Sequence, residues 1–425
     1  MSCGPSAKFE MKLDIKSQTR DDLVARLKEW GEPAYRADQV LNWLHVRRAT
    51  DWPAMSNLPQ KLRQRLAENF SLHVLELVTR QGARDATQKF LWRLHDHSMV
   101  ESVLIPANAA LYGDPSDRQT LCVSTQVGCA YGCKFCASGL AGWKRNLTAD
   151  EIIEQVLGVE RWHEADSPLG QEEGAEPPVP GKGKPQILDA SWGHEPKRPL
   201  TPTLSHPMGE GEEQPVHGKA ATPPRLINNL VVMGMGEPLA NYDNLLRALR
   251  ILNAPWGGGI GARKMTVSTS GLAPEIRRLA DEPMQLRLAV SLHAATDEVR
   301  NRLMPVNRKY PLRELLAACD YYQARKGRMI TFEYILIAGV NDHLAEARGL
   351  ANLAGRFHAK VNLIPCNRVE GLAWEPPAQA AQEAFLAELA RGRIKATLRH
   401  EKGGDIDAAC GQLRLKTERE LAALP

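Results

Sequence analysis

The sequence predicts an α/β protein built around an open or partial (β/α)6 barrel, and three observations point there. From Thr120 onward, six short β-rich runs alternate with helical stretches. Alternation of this kind implies parallel strands joined by right-handed crossovers. The residues most able to do chemistry stand at or just past the ends of those runs, where such barrels carry their sites. Finally, 425 residues can bury a large core, as two or three domains or as one barrel with additions.

Residues 1–72 read as a helical N-terminal domain. Leu23, Leu27 and Trp30, then Val40, Leu41 and Trp43, and later Leu58, Leu62 and Leu66 recur at helical spacing. Arg36, Arg47, Arg48, Lys61, Arg63 and Arg65 dot the faces between them. Those basic residues read either as a solvated helical surface or as an RNA-docking face. Residues 73–114 turn strand-like (HVLELVTR, QKFLWRL, MVESVLIP) and read as a small β connector.

Residues 115–403 form the predicted core. Its strands are LCVSTQV, NNLVVMGM, KMTVSTS, QLRLAVSLH, MITFEYILI and AKVNLIP. Helices are expected near Thr148–Trp162, Tyr242–Leu252, Pro274–Leu279, Leu312–Ala324, Leu344–Ala354 and Ala378–Leu389. Val231, Val267, Ala289 and Val361 suit inward-filling positions. One segment breaks the pattern: 168–224 holds 12 of the 28 prolines and no periodicity, so a disordered surface insertion is expected. Its His194, His206, His217 and Trp192 read as solvated loop residues. Residues 404–425 form a C-terminal tail.

The net charge of +4 and pI near 8.6 permit a nucleic-acid partner without demanding one. Without the acidic stretch 163–222 the net charge rises to about +9. No apolar run is long enough to span a bilayer, and no hydrophobic export region follows Met1. A cytoplasmic protein is expected, without a membrane partner. In that reducing compartment, a cysteine cluster reads as metal-binding or catalytic.

Cys129, Cys133 and Cys136 stand in the order Cys-x3-Cys-x2-Cys, just after the first barrel strand. A [4Fe–4S] cluster held by three cysteines leaves one iron free to bind a small molecule. The alternative is structural zinc, which would need a remote fourth ligand. Gly128 and Gly132 let the loop fold tightly, and Phe135 can shield a cluster from water. Downstream, Met233-Gly234-Met235-Gly236-Glu237-Pro238 ends a hydrophobic strand, with glycines for close approach and a carboxylate for an ammonium group. Ser268, Ser291, Leu292, His293 and Asn367 also lie at or past strand ends, where capping is an equal alternative. The run 257–261 (GGGIG) precedes a strand instead of opening a helix, so it fails as a phosphate cradle. Lone cysteines such as Cys3, Cys319 and Cys366 read as buried small hydrophobes.

The three-cysteine motif, with an aromatic residue before its third cysteine, resembles the radical S-adenosylmethionine (SAM) superfamily. The set CVSTQVGCAYGCKFC, GMGEP, TVSTSG, SLHA and GDIDAACGQL resembles the RlmN family over nearly the whole chain, apart from 168–224. That resemblance implies a radical SAM barrel and methylation of adenine C2 in 23S ribosomal RNA and transfer RNA. It implies a [4Fe–4S] cluster on Cys129, Cys133 and Cys136, and two SAM molecules per turnover. Gly236, Glu237, Ser268, Ser291, Leu292, His293 and Asn367 match the family's SAM contacts. Cys410 matches the methyl carrier, Glu101 the proton acceptor, and Cys122 the thiol that resolves the adduct through a disulfide. A reductant such as flavodoxin and a monomeric enzyme are expected. Arg391, Arg393, Lys395 and Arg399 would join the N-terminal helices in contacting RNA phosphates. Two other readings remain: a radical SAM enzyme acting on adenine C8 or a small molecule, and a zinc-stabilised RNA-binding module.

Overall fold

The structure, a computed structural model, describes residues 12–82, 87–107, 117–140, 142–165, 225–369, 371–399 and 411–422. Cys410 and the insertion expected at 168–224 lie outside these residues. The chain divides into two compact units, Met1–His163 with Pro223–Pro425, and Glu164–Thr222.

In chain order, helices α1 (Arg20–Glu29), α2 (Tyr35–Leu41) and α3 (Gln60–Asn69) come first. Strands β1 (Glu76–Gln81), β2 (Gln88–Arg93), β3 (Met99–Pro106) and β4 (Gln119–Cys122) follow. A small hairpin of β5 (Gln126–Gly128) and β6 (Trp143–Asn146) encloses the one-turn α4 (Ala137–Leu140). Then come α5 (Ala149–Ala165), β7 (Asn229–Val232), α6 (Tyr242–Asn253), β8 (Met265–Thr269) and α7 (Ala273–Asp281). After them stand β9 (Arg287–Ser291), α8 (Asp297–Leu303), α9 (Leu312–Lys326), β10 (Thr331–Leu336) and α10 (Leu344–Arg356). The described chain ends with β11 (Lys360–Pro365), α11 (Gln379–Arg391), β12 (Ala396–Leu398) and α12 (Gln412–Ala422). None of these helices is long and apolar enough to cross a membrane.

Ten strands form one sheet in the order β1-β2-β3-β4-β7-β8-β9-β10-β11-β12. From β4 onward every neighbouring pair is parallel, while β1, β2 and β3 join antiparallel at one side. The sheet is therefore an open barrel wall, as the six alternating units imply. A seventh parallel strand, β12, was beyond sequence reading because three residues carry no measurable alternation. The run LCVSTQV, expected as one strand, is broken in two. Ser124 donates its N–H to Gln155 Oε1 (2.8 Å) and its hydroxyl to the Glu101 carbonyl (2.6 Å). Thr125 N–H turns to the Met235 carbonyl (2.9 Å), so the backbone leaves the sheet and enters the hairpin.

Alternation along β2 and β3 sorts their side chains between two faces. Phe90, Trp92, Val100, Ser102 and Leu104 belong to one, which packs on α5: Trp92 Nε1 donates to Ser102 Oγ (3.1 Å), and Ser102 Oγ to Gln155 Oε1 (3.0 Å). The other face carries Lys89, Leu91, Met99 and Glu101, and Leu413 of α12 packs there against Leu91 and Met99.

The N-terminal helices have a core of their own around Leu23, Leu27, Val40, Leu41, Leu44 and Leu62. Thr19 and Asp22 close a reciprocal capping box at the start of α1. Charged groups bind this module to the barrel helices. Arg48 Nη2 meets Glu160 Oε2 of α5 at 3.1 Å, both buried, and Lys16 Nζ lies 3.2 Å from Glu154 Oε1. Arg48 therefore corrects the reading of a basic surface: it is a buried anchor and offers nothing to RNA, whereas Arg47, Lys61 and Arg65 are exposed.

His45 sits at this joint, fully buried and edge-on to Trp256, with neither ring nitrogen hydrogen-bonded. Burial, with the nearby Lys16 and Arg225, pushes its pKa from 6.5 down to about 3. The unfolded chain thus takes up a proton that the folded chain refuses, and stability falls as pH drops from 6.5 toward about 3. His45→Leu should flatten that fall by about 1.4 kcal/mol per pH unit, read from urea unfolding at a series of pH values.

Candidate active site

Parallel pairing places the C-terminal ends of β4, β7, β8, β9, β10 and β11 along one edge. Cys122 ends β4, Gly236 and Glu237 follow β7, Ser268 lies near the end of β8, and Ser291 ends β9. Leu292 and His293 continue past β9, and Asn367 follows β11. Residues as far apart as Cys122 and Asn367, 245 positions in sequence, thus share one rim.

The cysteine loop rises from this rim on the β5–β6 hairpin. Gly128 has φ +79°, and a Cβ there would stand 1.8 Å from the Gly142 carbonyl oxygen, so only glycine allows the hairpin to close. Cys129 N–H then donates to that same carbonyl (3.1 Å). Two further bonds staple the loop to the barrel: Lys134 N–H to the Leu303 carbonyl (2.9 Å), and Trp374 Nε1 to the Lys134 carbonyl (2.7 Å).

All three cysteines are half-buried. Burial pushes the Cys129 thiol up to about 11 and the Cys133 thiol well above its usual value, and the neighbouring thiols push the same way. Metal binding must displace those protons, which a multiply charged cluster can do. Among the described residues, the three Sγ atoms do not all come within 4.8 Å of one another. A single zinc ion with bonds of about 2.3 Å would hold its sulfurs about 3.8 Å apart. Three thiols on one loop with no fourth protein ligand on it form a donor set that fits the cluster radical SAM chemistry requires.

The Gly234–Pro238 segment is threaded tightly against the hairpin. Glu237 N–H donates to Gln126 Oε1 (2.9 Å), and a Cβ on Gly236 would meet Gln126 Cβ at 2.6 Å. The Glu237 carboxylate is buried and accepts from Leu239 N–H (3.1 Å) and Ser270 N–H (2.6 Å). Burial raises its pKa while the Ser270 bonds pull it back. Ser268 Oγ donates to the Val232 carbonyl (2.7 Å), which ties β8 to β7. His293 has φ +58°, and its Nδ1 accepts from Ile335 N–H (3.0 Å) while its ring meets Phe135 edge-on at 4.9 Å. Burial and Arg300 drive its pKa down to about 3, so it is a neutral imidazole. Asn367 is half-buried and its carbonyl lies 3.5 Å from Cys366 Sγ.

Arg300, on the short α8, was not legible as a site residue. It is wholly buried and donates to the carbonyls of Ser270 (2.6 Å), Leu292 (3.0 Å) and Ser291 (3.3 Å) and to Asn307 Oδ1 (2.7 Å). One guanidinium therefore holds the ends of β8 and β9 together and places a cation near Cys133. No motif flags it, because its partners are backbone carbonyls brought close only by the fold.

The β4 end of the rim gathers Glu101, Cys122 and the start of α12. Val103 pairs with Cys122 across β3 and β4, and Glu101 lies two residues from Val103, so Glu101 and Cys122 share a face. The buried Glu101 carboxylate accepts Gly411 N–H at Oε2 (2.8 Å) and Arg414 N–H at Oε1 (2.7 Å). Lys89 Nζ stands 3.3 Å from Oε2. Gly411, the residue after Cys410 in sequence, has φ +85°, and a Cβ there would lie 2.7 Å from Ser138 Oγ, two residues past Cys136. Cys122 is a thiol, so the disulfide expected of it is not present here; Cys410 itself lies outside the described residues.

Comparison with known proteins agrees with this geometry. Residues 13–72 match the family model of the ribosomal RNA large subunit methyltransferase N-terminal domain, and residues 222–351 match the radical SAM superfamily. RlmN 3 of Opitutus terrae, named a probable dual-specificity RNA methyltransferase, is 48% identical over 413 residues, 97% of each chain. The chain belongs to the RlmN family. A second RlmN, from Akkermansia muciniphila, is 45% identical over 406 residues, covering 96% of both chains. The crystal structure of a radical SAM methyltransferase from Sphaerobacter thermophilus superposes with a TM-score of 0.74 at 39% identity, covering 94% of this chain and 98% of that one. Radical SAM membership implies a [4Fe–4S] cluster and SAM. The superfamily match begins at residue 222, so the cysteine motif lies outside it.

The cluster assignment predicts a metal content. Purified without oxygen, the chain should hold about four irons and be brown. Cys133→Ala should lose most of that iron, whereas Cys319→Ala, buried inside α9, should keep it.

Proposed function

We propose that this chain methylates C2 of an adenine in 23S ribosomal RNA and in transfer RNA, carrying the methyl group on Cys410. The observation that supports the reading is the corner where Glu101 and Cys122 share a face and Gly411 is bonded to Glu101, on the rim that also bears the cysteine loop. Adenine C2 is an electron-poor carbon without a lone pair, so polar transfer from SAM has no nucleophile there. When bound, the cluster on Cys129, Cys133 and Cys136, with SAM on its open iron, would supply a carbon-centred radical by one-electron cleavage of the sulfonium.

The chain's own residues do the rest. Gly236, Glu237, Ser268, Ser291, Leu292, His293 and Asn367 line the rim beside the cysteine loop and would hold SAM. The Glu237 carboxylate, held in place by Leu239 and Ser270 N–H, would accept from the SAM ammonium group. His293, neutral at working pH, adds no charge repulsion to that cation. Cys410 loses its thiol proton and takes the methyl group of a first SAM by displacement, which makes two SAM molecules per turnover. Hydrogen removal from that methyl leaves a sulfur-borne carbon that bonds to C2, joining protein and RNA. Glu101 then accepts the C2 proton, and the adduct gives up its unpaired electron to a one-electron acceptor, restoring the aromatic ring. The Cys122 thiolate attacks the Cys410 sulfur; the base carbon leaves with the electron pair and takes up a proton as the new methyl group, and the disulfide that remains is opened by an external reductant. Flavodoxin would serve as the electron source.

The substrate adenine must leave its stack to reach this rim. Exposed Arg47, which stacks on Trp43 at 4.5 Å, and Arg65, on Trp30 at 4.8 Å, offer phosphate contacts on the N-terminal helices. Arg391, Arg393, Lys395 and Arg399 are also exposed, beside β12.

Anaerobic turnover with RNA tests the assignment. Cys410→Ala should give no methylated nucleoside, and Cys122→Ala should accumulate a covalent protein–RNA adduct. Nucleoside mass spectrometry should identify 2-methyladenosine; 8-methyladenosine would transfer the chain to the alternative reading. Free methylated RNA from Cys410→Ala would sink the mechanism.

A further inference from the structure

Helix α12 carries an anomaly three residues past Gly411. Arg414 is wholly buried, yet Nε, Nη1 and Nη2 have no hydrogen-bond partner. Its ion pair is with Glu418 one turn later, at 3.7 Å, a carboxylate already shared with the exposed Lys144 of β6 at 3.6 Å. A guanidinium carries five N–H donors and is always charged. Sealing it from water with one long ion pair and no hydrogen-bond partner is costly, so docking of α12 is opposed by its own side chain.

A second observation on the same helix points the same way. Both oxygens of Glu101 are engaged by the backbone N–H groups of Gly411 and Arg414. While α12 is docked, its N-terminus and Lys89 surround the carboxylate that is to receive a substrate proton. The docked arrangement occupies both Glu101 oxygens and holds Gly411 close against Ser138. Release of α12 would free Glu101 and bring five donors into the open beside the rim.

We propose that α12 is a latch which substrate RNA releases, moving the Arg414 guanidinium from its sealed position onto an RNA phosphodiester. The fork geometry of the guanidinium matches two phosphate oxygens, and the substrate brings a row of them. Glu418, left without Arg414, retains Lys144. This inference rests on RNA being the substrate, and it assigns Arg414 a role that the methyl-transfer steps do not require.

Two readouts on Arg414→Met test it. In the free enzyme, loss of the sealed charge should slow amide exchange in α12 about ten-fold. In RNA binding, the slope of log affinity against log salt should shrink by about one, because one phosphate contact is lost. Arg414→Lys should keep the salt slope, and Arg277→Met, which removes an exposed charge on α7, should change neither readout. Unchanged salt dependence in Arg414→Met, or faster exchange in its α12, overturns the latch. If the unaltered chain binds no RNA, the substrate reading fails instead, and the exchange experiment still judges whether Arg414 opposes docking.

Discussion

The Glu101 carboxylate, receiving two backbone N–H groups from the start of α12, is the interaction on which the proposed chemistry depends. It spans 310 residues of sequence, and it is an N-terminal cap supplied from a strand instead of from the helix's own chain. A helix N-terminus concentrates unpaired donors and partial positive charge, so a buried carboxylate is the complement it needs. The same carboxylate is held by Lys89 and sits on the Cys122 face of the sheet. One group thus brings the start of α12 and the Cys122 thiol to one corner.

The rest of the rim follows from parallel pairing. Once β4 and β7 to β11 run side by side, every strand ends at the same level, and short polar segments after the strands become neighbours. Backbone carbonyls at those ends need partners, and Arg300 supplies several at once. Polar residues at the β4–β5 break direct the chain out of the sheet, and glycine at 128 lets it return as a hairpin. That detour is what lifts the three cysteines above the strand ends.

Much of this was legible in the sequence, for identifiable reasons. Strands of four to six residues bounded by helices carry a strong alternating signal, so β7 to β11 and their helices emerged with small boundary shifts. The cysteine spacing and GMGEP are local patterns and were equally plain. Arg300, Lys89 and Arg414 were not, because their significance lies in burial and in partners distant along the chain. Arg48 misled for the same reason: its sequence neighbours are surface residues, and only the fold shows Glu160 beneath it. β12 and the hairpin strands were too short to show a period. Cys122 and Glu101 were found through family resemblance, since nothing local distinguishes a thiol or a carboxylate on a strand.

The central claim is that Glu101 acts on the substrate from the corner it builds. The direct measurement is the mass of the Glu101→Gln chain after a single anaerobic turnover with SAM and RNA. Glutamine keeps a carbonyl oxygen to accept a helix N–H but cannot take a proton from carbon. The account predicts a covalent protein–RNA adduct that retains the C2 hydrogen, with little free methylated RNA. Free 2-methyladenosine at the rate of the unaltered enzyme would contradict it.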